Sequence, residues 1–94
     1  MKKIVEMTSD EMFKFTDKYI KEKMDVNKNI VRYSFYELRV KMDMEDAEVE
    51  RFLKCSRSIL ESLDYKVYFT GEKFVYENAN RTVQDNELMI AIKE

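Results

Sequence analysis

The stretch 43–63 constrains this chain more than any other. Val49, Phe52, Leu53, Ser56, Ile59, Leu60 and Leu63 recur there in steps of three and four, the spacing that lines one face of an α-helix. A stripe about five turns long has to lie against a core. Asp43 is placed to cap its start through a side-chain oxygen, and Glu45, Asp46 and Glu48 suit the positive end of a helix. Cys55 stands at the edge of the stripe, where a lone cysteine serves as a small apolar residue.

The flanks supply the rest of the fold. Residues 1–7 read as a short strand or an ordered arm. Thr8-Ser9-Asp10-Glu11 is a capping box. The helix it opens runs to about Met24, with Met12, Phe13, Thr16, Ile20 and Met24 on one face and Phe15 and Tyr19 at its edge. Residues 25–29 form a turn, and Ile30-Val31-Arg32-Tyr33 a small β-branched strand. Ser34-Phe35-Tyr36-Glu37 is a second capping box. It opens a short helix with Phe35, Leu38 and Met42 inward and Arg39 and Lys41 outward. After Leu63, Asp64 ends the long helix. Tyr65, Val67 and Phe69 then alternate with Lys66, Tyr68 and Thr70, a period of two. The only glycine of the chain lies in Thr70-Gly71-Glu72, which predicts a hairpin returning through Phe74-Val75-Tyr76. Residues 78–86 read as an exposed loop, and 88–92 as a strand apolar on both faces and therefore central. These elements predict an α+β fold, three helices followed by a small antiparallel sheet, in a single domain over 1–94.

Composition narrows the function classes. No histidine is present and there is one cysteine, so an internal disulfide and a usual zinc site are ruled out. With one glycine in the chain, no phosphate-cradling loop can be written. The serines are accounted for as caps, helix surface or small core residues, and no catalytic residues emerge. We expect no enzyme, cofactor or metal. The charged start lacks the apolar run of a signal peptide, and no stretch approaches a membrane span. A cytoplasmic protein without a membrane partner is expected. The formal net charge is −2, which disfavours a strong nonspecific polyanion binder. The charges are unevenly placed, however. Residues 1–44 carry ten basic and eight acidic side chains, whereas 45–94 carry seven and eleven.

From Tyr33-Ser34-Phe35-Tyr36-Glu37-Leu38 to Leu60-Glu61-Ser62-Leu63-Asp64-Tyr65-Lys66-Val67, the chain resembles the winged helix-turn-helix pattern. A small polar cap opens the second helix there, and the third ends in Leu-x-x-Leu before a turn and a strand. The resemblance spans about 9–92, with Asp64 standing where many relatives carry glycine. It implies a DNA-binding protein, with the third helix in the major groove and the hairpin as a wing. Residue usage is similar to that of small regulators from low-GC bacteria, phages or plasmids, including centromere-binding adaptors of tubulin-type partition systems.

On that pattern the DNA-binding candidates are Arg32, Arg39, Lys41, Arg51, Lys54, Arg57, Lys73 and Arg81. Ala47, Glu48, Arg51, Lys54, Cys55 and Ser58 fall off the core stripe of the long helix. Among them Arg51 is the best base reader, because its planar fork matches guanine O6 and N7. The other cations are phosphate contacts, with Lys73 and Arg81 in the wing. Double-stranded DNA is the expected partner, bound by a homodimer. The alternative is a protein-binding module, such as a phage-encoded inhibitor, that presents Glu45, Asp46, Glu48, Glu50, Asp85 and Glu87 as an acidic DNA mimic.

Overall fold

A computed structural model describes residues 3–93. Helix α1 (Ser9–Val26) is followed by strand β1 (Ile30–Ser34), a π-helical turn (Tyr36–Lys41) and helix α2 (Asp46–Ser62). Strands β2 (Lys66–Phe69), β3 (Lys73–Tyr76), β4 (Ala79–Thr82) and β5 (Glu87–Ile92) complete the chain. The protein is α+β, with three helices and a small antiparallel sheet. The first strand forms between the helices, where Ile30-Val31-Arg32-Tyr33 predicts it, so the sheet does not simply follow the three helices as the expected class had it.

The capping box at Thr8 forms as expected. Thr8 Oγ1 accepts from Glu11 N at 3.2 Å, and Thr8 N donates to Glu11 Oε1 at 3.0 Å. The buried face of α1 is Met12, Thr16 and Ile20, with Phe15 and Tyr19 packed beside it, whereas Phe13 is exposed. Phe13 is one position out of step with the 12-16-20 row, and Phe15 and Tyr19 take the space beside α2.

The second capping box is half made. Ser34 Oγ accepts from Glu37 N at 3.1 Å, but the Glu37 carboxylate turns to Lys23 Nζ at 2.7 Å. The turn it opens has a π-helical bond, Met42 N to Glu37 O, at 3.0 Å. Leu38 is buried and Met42 packs on the core, but Phe35, expected inward, is exposed. Asp43 then takes a left-handed φ of 52°. That conformation breaks the chain between the two helices, so α2 starts at Asp46 and Asp43 does not cap it.

The stripe on α2 packs as its spacing requires. Phe52, Ser56, Ile59 and Leu60 are buried, and Val49, Leu53 and Leu63 lie against the same core. The Phe52 ring sits 5.1 Å from Tyr33, 5.6 Å from Tyr19 and 5.9 Å from Phe15, centroid to centroid. Ser56 earns its place in an apolar stripe by accepting the Tyr33 hydroxyl at 3.2 Å. Burial pushes the Tyr33 phenol upward from its ordinary value. At the end of α2, Asp64 adopts φ 69°, the left-handed conformation usually given to glycine. Tyr65 N bonds Leu60 O at 3.0 Å and Asp64 N bonds Glu61 O at 3.1 Å, the paired bonds of a Schellman end.

The sheet corrects the expected hairpin. Its order is β1-β5-β2, antiparallel throughout, with β5 central as its apolar faces predict. Strand β2 pairs with β5 and not with β3. Strand β3 pairs with β4, which lies within the stretch expected to be loop. The tight turn of this ribbon is Glu77-Asn78, at φ 51° and 64°, the positive values a two-residue type I′ turn demands. Gly71, at φ 86°, instead turns the chain from the sheet into the ribbon. The main core fills the space between the helices and one sheet face. A second cluster of Val83, Ile90 and Ile92, with Ile30, Tyr68, Phe74 and Tyr76 against it, holds the ribbon on the other face.

Candidate functional site

The cations on α2 are engaged. Lys54 pairs with Glu50 and Arg57 with Glu61, each at 3.0 Å and each one turn apart. Exposed pairs of this kind contribute only about 0.3–0.5 kcal/mol, but they leave the outer face of α2 close to neutral. Arg39, expected to face out, is partly buried and pairs with Asp46.

Arg51 is turned away from its expected use. Its Nη1 donates to Ile4 O at 2.6 Å. Glu48 is buried, accepting from Ile4 N through Oε2 and from Glu45 N through Oε1, both at 3.1 Å. The backbone of Ile4, in a 3-10 turn (Ile4–Glu6), is thus held at both its N–H and its C=O by side chains of α2. The expected strand or arm over 1–7 is therefore this docked turn as far as it is described, Met1 and Lys2 lying outside the described residues. Glu48 accordingly contributes nothing to an acidic outer surface. Periodicity missed it because a buried carboxylate is costly unless hydrogen-bonded, and its partner stands far off in the sequence.

Four other predicted cations lie off α2 without sharing one face: Arg32 and Arg81 stand on the walls between the sheet and the ribbon, whereas Lys73, which alternates with Phe74 along β3, is on the outer side of the ribbon. Arg32, Lys41, Lys73 and Arg81 are exposed, and among the described residues none of them forms an ion pair. A string of surface hollows connects them. Lys41 shares one of about 470 Å³ with Lys23, and Lys23 shares the next, about 460 Å³, with Arg32. Arg32 and Arg81 line a cleft of about 750 Å³ between the sheet and the ribbon. Arg81 and Lys73 line the last, of about 470 Å³. The carboxylates along the string are Glu37, Glu77 and Glu87. Glu37 is bound to Lys23, and Glu87 accepts from Gln84 N at 3.3 Å.

Lys23 is the member that sequence reasoning did not find. On α1 it looks like one more helix-surface lysine. In the fold its ammonium donates to Glu37 and to Arg32 O at 2.9 Å. It also lies 5.7 and 5.3 Å from the ring centroids of Tyr19 and Tyr33. Burial, then the charges of Arg32 and Lys41, lower its pKa to about 8. Burial likewise raises the Glu37 carboxyl above its ordinary value.

Compared with family models, curated proteins and solved structures, the chain matches none. Its chemistry therefore rests on its own residues. Among the described residues no three His, Cys, Asp or Glu side chains are grouped to hold a metal ion. No helix there is long and apolar enough to cross a membrane. The hollows thus carry five cations against three carboxylates, one of which, Glu37, is already bound to Lys23.

Proposed function

We propose that the protein binds double-stranded DNA as a winged helix-turn-helix, two copies acting together as a regulator or as a phage or plasmid partition adaptor. The observation that carries this is the set of exposed cations without an ion pair among the described residues, Lys41, Arg32, Arg81 and Lys73, lining successive hollows from the π-helical turn over β1 to the ribbon. The α+β class, with three helices, a small antiparallel sheet and a two-stranded ribbon, is compatible with this reading. Phosphate contact supplies most of the affinity in this scheme. Lys54 and Arg57 join only by exchanging weak partners on their own helix. Arg51 is committed to Ile4, so base readout by its fork is not part of the proposal.

A polarisation titration against AT-rich duplex at several salt concentrations tests it. Four phosphate contacts give a log–log slope of roughly −3.6, at about −0.9 per contact. Lys41→Ala, Arg32→Ala and Arg81→Ala each flatten the slope by about 0.9, while Lys54→Ala leaves it nearly unchanged. Absence of binding at low salt overturns the proposal. Light scattering on free and DNA-bound protein tests the two-copy arrangement.

A further inference from the structure

We infer that Lys23 is a reactive amine that captures a small anionic aldehyde as a protonated imine. Three surface hollows, of about 510, 470 and 460 Å³, meet at this one side chain. It is reachable from them, because it stays 26% exposed although its nitrogen is held in place. A neutral amine has two N–H bonds and one lone pair. Two acceptors stand beside it, Glu37 Oε1 at 2.7 Å and Arg32 O at 2.9 Å. They take both N–H bonds and leave the lone pair for an electrophile. The Glu37 carboxyl is also the acid–base partner that such a reaction requires. Burial disfavours charge on both members of the pair, lowering the amine to about 8 and raising the carboxyl. A proton therefore passes from Lys23 to Glu37 at smaller cost than between the same groups in water.

The surroundings select the electrophile. Acylation or carbamylation would leave the nitrogen uncharged, stranding the Glu37 carboxylate and the rings of Tyr19 and Tyr33, whose centroids lie 5.7 and 5.3 Å away. A protonated imine keeps a positive charge and one N–H on the nitrogen, so the ion pair and the cation–π contacts survive. The steps balance without a further reagent. Lys23 gives a proton to Glu37. Its lone pair then forms a C–N bond with the carbonyl carbon, and a proton moves from nitrogen to oxygen. The hydroxyl of this adduct leaves as water with the proton held by Glu37, and the C–N bond becomes C=N. The anionic group of the aldehyde is met by Arg32 and Lys41. Their charges already act on Lys23, and both are exposed without an ion pair among the described residues.

Incubation of the full chain with pyridoxal 5′-phosphate, then borohydride reduction and peptide mass spectrometry, tests the inference. Label should appear at Lys23 before the other lysines, and Lys23→Arg, which keeps the charge, should lose that early label. The same aldehyde without its phosphate, 5′-deoxypyridoxal, should label Lys23 about tenfold less. The double change Arg32→Gln with Lys41→Gln should erase that difference. Glu37→Gln separates a reacting group from a merely electrostatic partner. Without the carboxylate the amine is more readily neutral, so a purely electrostatic role predicts faster labelling. Loss of the acid predicts labelling about a hundredfold slower. Native amide spectra confirm the fold of each variant. Even labelling of all exposed lysines, no preference for the phosphorylated aldehyde, or faster labelling in Glu37→Gln would each overturn the inference. The assay contains no nucleic acid, so its failure leaves the duplex proposal standing.

Discussion

Glu48 and Arg51 stand one turn apart on α2, and both are spent on the backbone of Ile4. Leaving that N–H without an acceptor in a buried place carries a penalty of about 1–3 kcal/mol. We therefore expect Glu48→Ala to lower the unfolding free energy by that amount, read as a lower urea midpoint at unchanged m, and Glu48→Gln, which keeps an acceptor oxygen, to lower it less. Lys23 gives a pH dependence. Its folded pKa is about 8 against an ordinary 10.5, so between these values the unfolded chain holds a proton that the folded chain has lost. Stability contributed by this residue therefore rises with pH, starting near 8. Above about 10 the ionisation of Tyr33 and Tyr65, both raised by burial, acts in the opposite direction. Thermal melts in low-salt buffer across pH 7–10 should show the rise, and Lys23→Met should remove it.

At the scale of elements, four non-glycine residues hold left-handed conformations that glycine adopts more easily. Asp43 lies before α2 at φ 52°, Asp64 terminates α2 at 69°, and Glu77 and Asn78 form the ribbon turn at 51° and 64°. Left-handed backbone costs an ordinary L-residue about 1–2 kcal/mol. The double change Glu77→Asn with Asn78→Gly suits a type I′ turn and should raise the melting temperature, with amide exchange slowed across β3 and β4. Asp64→Gly should likewise stabilise, by up to about 1 kcal/mol, read from the denaturant midpoint. The ribbon was hidden in the sequence because 79–82 reads Ala-Asn-Arg-Thr. Only one side of it packs, and its turn contains no glycine. The glycine at 71 drew the expected hairpin to the wrong place, since it serves a bend between sheet and ribbon.

For the molecule as a whole, charge placement matters more than charge total. The net charge of −2 does not show that Arg32, Lys41, Lys73 and Arg81 are exposed and without an ion pair among the described residues. α2, the helix with the strongest pattern, is also the one whose basic residues are neutralised. Lys23, paired with Glu37 between Arg32 and Lys41, has its pKa lowered to about 8. Loss of its proton leaves the Glu37 charge unopposed there, so duplex affinity should weaken as pH rises past that point, with the number of phosphate contacts and the salt slope little changed. Lys23→Arg, charged throughout the range, should hold the affinity constant. A pH profile of polarisation titrations with wild type and variant checks this.

Local rules governed what was legible along the chain. The Thr8 box, the α2 stripe, the stop at Asp64 and the central place of β5 all depend on neighbours within about one turn or on a simple period, so they can be read from residue order. The tertiary structure alone decided that β2 pairs with β5, that Arg51 and Glu48 hold Ile4, and that Lys23 lies between Arg32 and Lys41. Each of these joins groups distant in the chain. Their geometry depends on how the helices and the sheet pack, and sequence spacing carries no information about partners that packing brings together.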